Sequence, residues 1–370
     1  MQFEFSDEQQ ELRDSVRRFF ERECPVTAVR AVIDAGTGYD PALWRKVGDG
    51  AFLATAIPEE YGGIGAGYLE LCVVAEECGR VLAPLPTLSA IYQVAEYLMI
   101  AGSEAQKRRW LPRIAAAEAI GALALNEGVG EMRADRVAAR VSGGRLIGEK
   151  LPVADGMAAD FAIVAARDEA ETLGFYLVEL DAPGVAREAV ETLDPSRGHA
   201  RIVFSGAEAE PLGKGDRGWT LVEEIRDRAA VPAAFEQVGG ADRALADARD
   251  YALGRYAFGR PIASFQAIKH MLADVYVANE LARSNAYYGA WALSAGSDKL
   301  SLAAASARVA ATAAFQRASA SNIQVHGGMG FTWEYDCHLY YRRSAYLALA
   351  LGGPSLWEDR LIEFRRAAAA

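Results

Sequence analysis

Cysteine is scarce in this chain. Cys24, Cys72, Cys78 and Cys337 are spread over 370 positions, no two form a CxxC pair, and the four histidines are equally dispersed. That spacing excludes a disulfide framework and a zinc site; reduced thiols and no bound metal are expected. No apolar run approaches the ~18 residues of a membrane span. The opening Met1-Gln2-Phe3-Glu4-Phe5 is acidic and lacks the basic start of a signal peptide. A cytoplasmic protein with no membrane partner is expected. Positive charge is also in deficit, since 39 Lys and Arg against 50 Asp and Glu leave a net charge of -11. Nucleic acid is thereby excluded, because its phosphates are held by clustered Lys and Arg. A smaller anion in a local basic groove is not. Internal repeats are lacking too, and the sole low-complexity piece is the Ala367–Ala370 tail, expected to fray.

What is present is apolar and patterned. A 51% hydrophobic and 24% charged composition supports a large core, arranged as two or three subdomains at this length. Ser6 followed by Gln9 forms a capping-box pattern before Leu12, Val16, Phe19 and Phe20. Pro25 is expected to end that helix. Helical spacing resumes through Leu43, Trp44 and Val47, and again over Tyr68–Cys78. Between them Ile57-Pro58-Glu59-Glu60-Tyr61-Gly62-Gly63 reads as a loop.

Near Ala122 the period shortens. Ala122–Leu125, Val137–Val141, Phe161–Ala165, Phe175–Leu180 and Arg201–Phe204 alternate with turn residues such as Gly143-Gly144 and Asp194-Pro195. This predicts an antiparallel β sandwich or barrel. From Trp219 long helices return, with stripes at Val238, Ala241, Leu245, Ala248 and Ala252, then Phe265, Ile268, Leu272 and Val275. A third is expected over about 302–325 and a fourth from about Asp336, making a bundle able to oligomerise. The expected architecture is mainly α with a central β-domain: a helical domain at 1–121, a β-domain at 122–215 and a four-helix bundle at 216–370.

Three stretches carry chemistry: Arg255-Tyr256-Ala257-Phe258-Gly259-Arg260-Pro261, then Phe265-Gln266, then Gln324-Val325-His326-Gly327-Gly328-Met329-Gly330. With Ile57–Gly63, Gly102-Ser103-Glu104-Ala105-Gln106-Lys107 and Leu111-Pro112, all in register, they resemble the acyl-CoA dehydrogenase family across essentially the whole chain. The resemblance implies FAD as cofactor, an acyl-CoA thioester as substrate and an electron-transfer acceptor for the reduced flavin. It also implies a cofactor lying across a subunit interface, its ring in one chain and its nucleotide end on the bundle of the next. On that pattern Arg255 pairs with the pyrophosphate, as a planar multi-donor cation suits phosphate oxygens. Phe258 packs beside the cofactor, Gln266 lies close by and Gln324 offers an amide. Gly327 and Gly328 let backbone approach the ADP portion. The plainer alternatives are that the two glycines end a helix and that Phe258 is core.

The resemblance fails where the family does its chemistry. Its catalytic carboxylate takes the α-proton of the thioester as the β-hydride leaves for the flavin, and a positioned base contributes about 10²–10⁴-fold. The two places that hold this glutamate in the family match Gly352 and Ala229 here. The flavin-stacking strand motif, of the Lys-x-Trp-x-Thr type, reads Lys150-Leu151-Pro152-Val153-Ala154, and the loop before it reads Asn126-Glu127-Gly128-Val129-Gly130-Glu131-Met132. No catalytic residue is therefore assigned.

This pattern resembles the base-deficient subunits of heteromeric bacterial members, some of which act in steroid side-chain oxidation. It implies a paralogous catalytic partner in a heterotetramer and a bulky acyl-CoA. Two alternatives stand: a homodimer or homotetramer with a relocated base such as Glu236, or a non-enzymatic scaffold that binds acyl-CoA or a partner. Glu236 lies about two turns from Ala229, at 1.5 Å per residue. Glu236, Asp242 and Glu127 otherwise read as solvated or interface carboxylates. His326 reads as a polar residue near the helix end, Glu334-Tyr335-Asp336 as caps of the last helix, and Arg342-Arg343 as an interface ion-pair site.

Overall fold

The computed structural model describes residues 6–213 and 217–369, with backbone only for the last three. The acidic start at 1–5, the boundary expected at 215/216 and Ala370 lie outside the described residues. Two compact units form, each gathered from separate stretches. One comprises Ala28–Gly67 and Pro84–Ala229; the other comprises Met1–Thr27, Tyr68–Ala83 and Ala230–Ala370.

The first unit holds α2 (Val26–Ala35, from Ala28 on), α3 (Pro41–Asp49), a π-helical stretch Leu88–Ala95 running into α5 (Glu96–Ala101), and α6 (Glu104–Ala115). Asp40 caps α3 by accepting from Ala42 N and Leu43 N, with Pro41 at the first helical position. Ser103 and Gln106 form a capping box on α6. Gln106 then reaches on to Glu210 at 2.7 Å and the Pro211 carbonyl at 2.9 Å. Trp110 stacks on Phe161 with centroids 4.0 Å apart, fixing α6 to the sheet.

That sheet contains β1 (Gly121–Ala124), β2 (Arg140–Ser142), β3 (Arg145–Ala154), β4 (Phe161–Arg167), β5 (Leu173–Glu179), β6 (Val185–Val190), β7 (His199–Glu208) and β8 (Glu210–Pro211). Its order is β6-β7-β3-β2-β4-β5-β8, with β1 also paired to β4. The expected antiparallel ladder holds for β3–β7, β4–β5 and β6–β7. By contrast β1 runs parallel to β4, Gly121 opposite Phe161.

The strand expected over Val137–Val141 starts only at Arg140. Upstream, side chains take the backbone groups a ladder would use: Arg167 donates to the carbonyls of Val137 (3.0 Å) and Ala134 (2.8 Å), and Glu127 accepts from Ala138 N and Ala139 N. Strand β6 carries no apolar signature in the sequence because Arg187 and Glu188 interrupt its alternation, and none of its residues is buried.

The second unit holds α1 (Asp7–Glu23), α4 (Tyr68–Arg80), the larger part of α7 (Gly218–Gly254), a small hairpin β9 (Tyr256–Ala257) and β10 (Arg260–Pro261), and then α8 (Gln266–Ser294), α9 (Leu300–His326), α10 (Cys337–Leu349) and α11 (Pro354–Ala369). Ser6 and Gln9 make the expected capping box, and α1 stops at Glu23 ahead of Pro25. The bundle gains a fifth helix, α11, and the alanine tail continues it to Ala369. A Cβ at Gly79 would lie 1.8 Å from the Glu236 carbonyl, and one at Gly239 1.8 Å from the Glu76 carbonyl. Helices α4 and α7 therefore cross backbone to backbone, which only these glycines permit. Among the described residues no helix is long and apolar enough to cross a membrane, and no group of three or more His, Cys, Asp or Glu could hold a metal.

Candidate functional site

The three motif stretches meet at one end of the second unit. Helix α7 ends at Gly254 with Arg255 N still donating to Tyr251 O at 2.8 Å, and Ile262 N returns to Arg255 O at 2.8 Å. The hairpin between them turns at Phe258 and Gly259, both left-handed at φ 54° and 75°. A small apolar cluster of Ala248, Ala252 and Val325 lies beneath, with Tyr251, Ile262, Ile268 and Leu272 packed against it. Val325 brings the end of α9 onto α7 and α8, so Gln324, Gly327 and Gly328 join Arg255, Phe258 and Gln266 on one corner.

All six residues are solvent-accessible there. Arg255 has no ion-pair partner among the described residues, whereas its neighbour Arg260 lies 4.2 Å over the Phe265 ring. Phe258 is 95% exposed, which overturns the core alternative, and meets Phe265 edge-on at 6.2 Å. Gly327 caps α9 with φ 60° and ψ -138°. It thus ends the helix, and it also leaves the backbone open: a Cβ on Gly327 or Gly328 would meet nothing within 4 Å. An uncommitted guanidinium, an exposed aromatic ring, two amide side chains and bare glycine backbone suit the phosphates and ring of a nucleotide. The nucleotide end of FAD fits these residues.

The β-layer of the first unit does not fit the flavin ring. Leu151 N already donates to Asn126 O at 2.8 Å, and Pro152 has no N–H to offer. Val153 is buried, and Ala154 carries no hydroxyl. The preceding loop is clasped shut. Lys150, wholly buried, donates to Glu127 at 2.5 Å and to Leu125 O at 3.3 Å. Glu127 also accepts from Ala138 N at 2.8 Å and Ala139 N at 3.0 Å. Burial pushes the Lys150 ammonium below the usual lysine range, and Glu127 opposes that shift. The cavity left inside the loop, lined in part by Asn126, Val129 and Met132, measures about 40 Å³, room for little more than a water molecule or two.

Glu127 is thus no solvated carboxylate, as expected from sequence, but the knot of this loop. Removing it by Glu127→Ala leaves the buried Lys150 ammonium without its carboxylate and is expected to cost about 3–5 kcal/mol, the range for a buried ion pair broken from one side. Hydrogen exchange would locate the loss, with the amides of Ala138 and Ala139 losing protection first.

The other carboxylates are corrected in the same way. Glu236 is buried and faces Arg343 Nη1 at 3.4 Å, and Arg343 also donates to Leu82 O and Ala83 O. Its burial comes from the α4–α7 crossing, which the glycine spacing encodes but apolar periodicity hides. A carboxylate committed to a buried guanidinium is a poor general base, so the relocated-base assignment fails on geometry. Arg343 is correspondingly an interior residue rather than an interface one. Asp242 is bonded to Arg283 and to Asn279 at 3.0 Å. Asp336 stands at the N-cap of α10 without a side-chain capping bond. His326 agrees with its structural reading, stacking on Tyr251 at 4.0 Å.

At the expected base position the chain makes a tight turn, Gly352 N donating to Leu349 O at 3.1 Å. Gly352 sits at φ 101°, and a Cβ there would come within 2.3 Å of Leu356 Cδ2. Ala229, the other place, is fully buried. The turn is held from below by a residue that periodicity did not flag. Arg308, entirely buried, donates to Gln237 Oε1 at 2.5 Å and to Leu347 O at 2.7 Å, and burial pulls its guanidinium down to about 10.

Two family sequence models match the chain: "Acyl-CoA dehydrogenase, N-terminal domain" over residues 6–118 and "Acyl-CoA dehydrogenase, C-terminal domain" over residues 216–355. The chain is 34% identical to acyl-CoA dehydrogenase IpdE2 of Mycobacterium tuberculosis, over 94% of each sequence. It superposes on a chain of the ChsE4-ChsE5 complex from Mycobacterium tuberculosis with a TM-score of 0.88 at 28% identity, covering 100% of this chain and 99% of that one. A chain of a variant of the Tcur3481-Tcur3483 steroid ACAD gives 0.86 at 30% identity, with 98% and 99% covered.

Proposed function

The chain belongs to the acyl-CoA dehydrogenase family of FAD-dependent oxidoreductases, and from that membership we propose that it serves as the base-deficient subunit of a heteromeric acyl-CoA dehydrogenase. Its helical end holds the nucleotide portion of a cofactor whose ring and catalytic carboxylate belong to a paralogous subunit. When bound, FAD supplies the two-electron acceptor for the substrate's hydride. The chain's own part is to hold and orient: Arg255 pairs with the diphosphate, Gly327 and Gly328 admit it to backbone contact, and Phe258 and the two glutamines close around it.

The observation that carries this reading is Gly352. No carboxylate stands at the family's base position, and its left-handed backbone, with Leu356 close by, would strain any side chain placed there. Support for two unlike chains comes from the paired names of the ChsE4-ChsE5 and Tcur3481-Tcur3483 assemblies. Support for a steroid-derived or similarly bulky acyl-CoA comes from the steroid ACAD relative.

Purification of the chain alone and together with a co-expressed paralogue tests the reading. Flavin absorbance and acyl-CoA turnover are expected only in the pair. A yellow, active preparation of the single chain would defeat it.

A further inference from the structure

We propose that His326 is a positioning residue for nucleotide binding: stacked on Tyr251, it couples the arginine side of the corner to its glycine side. This rests on the reading of the corner as a nucleotide site and adds a residue to which that reading gave no role.

The two sides arrive on different helices. Arg255 follows the last turn of α7, and Gly327 and Gly328 follow the last residue of α9. Beneath them lies the shared cluster of Ala248, Ala252 and Val325, with Tyr251, Ile262, Ile268 and Leu272 packed against it. Above it, the His326 and Tyr251 rings stack with centroids 4.0 Å apart and planes 28° apart. Each ring is tied to one half of the site. Tyr251 lies one helical turn before Arg255, whose N–H donates to its carbonyl. His326 immediately precedes Gly327.

The imidazole is itself locked. Its Nδ1 lies 2.8 Å from the Asn322 carbonyl; since a carbonyl only accepts, Nδ1 carries the proton and donates. Tyr335 closes a third side, edge-on to Tyr251 at 6.1 Å and to His326 at 5.6 Å. A ring fixed by a hydrogen bond, a face-to-face partner and an edge-on partner has little rotamer freedom. The turn that leaves its Cα inherits that order. Gly330 behind the turn is packed as well, since a Cβ there would meet Ile323 O at 2.6 Å and His326 Cβ at 3.2 Å. The stack therefore sets the distance between a phosphate-seeking guanidinium and the bare backbone that would receive the same diphosphate.

The test is calorimetric titration of ADP into the full-length chain, with melting temperature recorded for each variant. Wild type is expected to bind ADP. His326→Ala is expected to bind it about tenfold more weakly, within the range of coupled contacts, while His326→Phe, which keeps the stacked ring, stays within about threefold of wild type. The double variant His326→Ala/Arg255→Gln should bind no more weakly than Arg255→Gln alone, to within about twofold. A merely structural role would lower the melting temperatures and leave the losses to multiply. ADP affinity unchanged in His326→Ala, or multiplied losses in the double variant, overturns the positioning role alone. Failure of wild type to bind ADP overturns the nucleotide site and this inference with it.

Discussion

Gly352→Glu, which returns the family's carboxylate to its expected place, should restore no turnover to the isolated chain. A base in working position is worth about 10²–10⁴-fold, so success would be plain in an acyl-CoA assay with an artificial acceptor. On this reading the isolated chain seats no flavin ring to take the hydride, and the backbone resists the new side chain as well. At φ 101° any L side chain is strained, and the first carbon would lie 2.3 Å from Leu356 Cδ2. Left-handed or more extreme backbone costs about 1–3 kcal/mol for a non-glycine residue. The turn must also keep its bond from Gly352 N to Leu349 O, while Arg308 holds Leu347 from beneath. The variant should therefore melt below wild type and stay inactive. A gain in turnover of about a hundredfold would mean that the chain seats a flavin of its own and that the missing base is a single-residue change.

Arg343→Met is expected to be the most damaging single substitution in the bundle. Arg343 and Glu236 are both fully buried and face each other at 3.4 Å. Stripping the cation leaves a carboxylate in the interior, which typically costs about 3–5 kcal/mol. The carbonyls of Leu82 and Ala83, just past α4, lose their donor as well. At little more than about 1 °C per kcal/mol for a chain of this length, the melting temperature should fall by about 5 °C. Adding Glu236→Leu to Arg343→Met should recover much of the loss, because the buried charge goes too. Turnover of Glu236→Gln, assayed with the partner subunit, should match wild type per folded molecule. A selective loss of turnover in that variant would return Glu236 to the catalytic role that its ion pair argues against.

The sequence made some of this legible and hid the rest for physical reasons. The capping box at Ser6 and the Pro25 break involve residues within four positions of one another, and they appear as read; the capping box at Ser103 emerges only in the fold. The long stripes of α7 and α8 were visible because helical period survives wherever one face is buried. Strand β6 was not, since its charges follow an edge rather than a buried layer. The motifs around Arg255 and Gln324 named the corner, but the ring stack that joins them links residues far apart in the chain and has no periodic signature. The carboxylates misled most. Glu127 and Glu236 owe their burial to Lys150, Arg343 and a glycine-lined helix crossing, partners that only the folded chain assembles.

The division of labour between chains is tested most directly by native mass spectrometry of the co-purified assembly with its flavin counted. The account predicts one FAD for each pair of unlike chains, with this subunit contributing only the nucleotide contacts around Arg255 and Gly327. One FAD for every copy of this chain, in an active assembly of identical subunits, would contradict it.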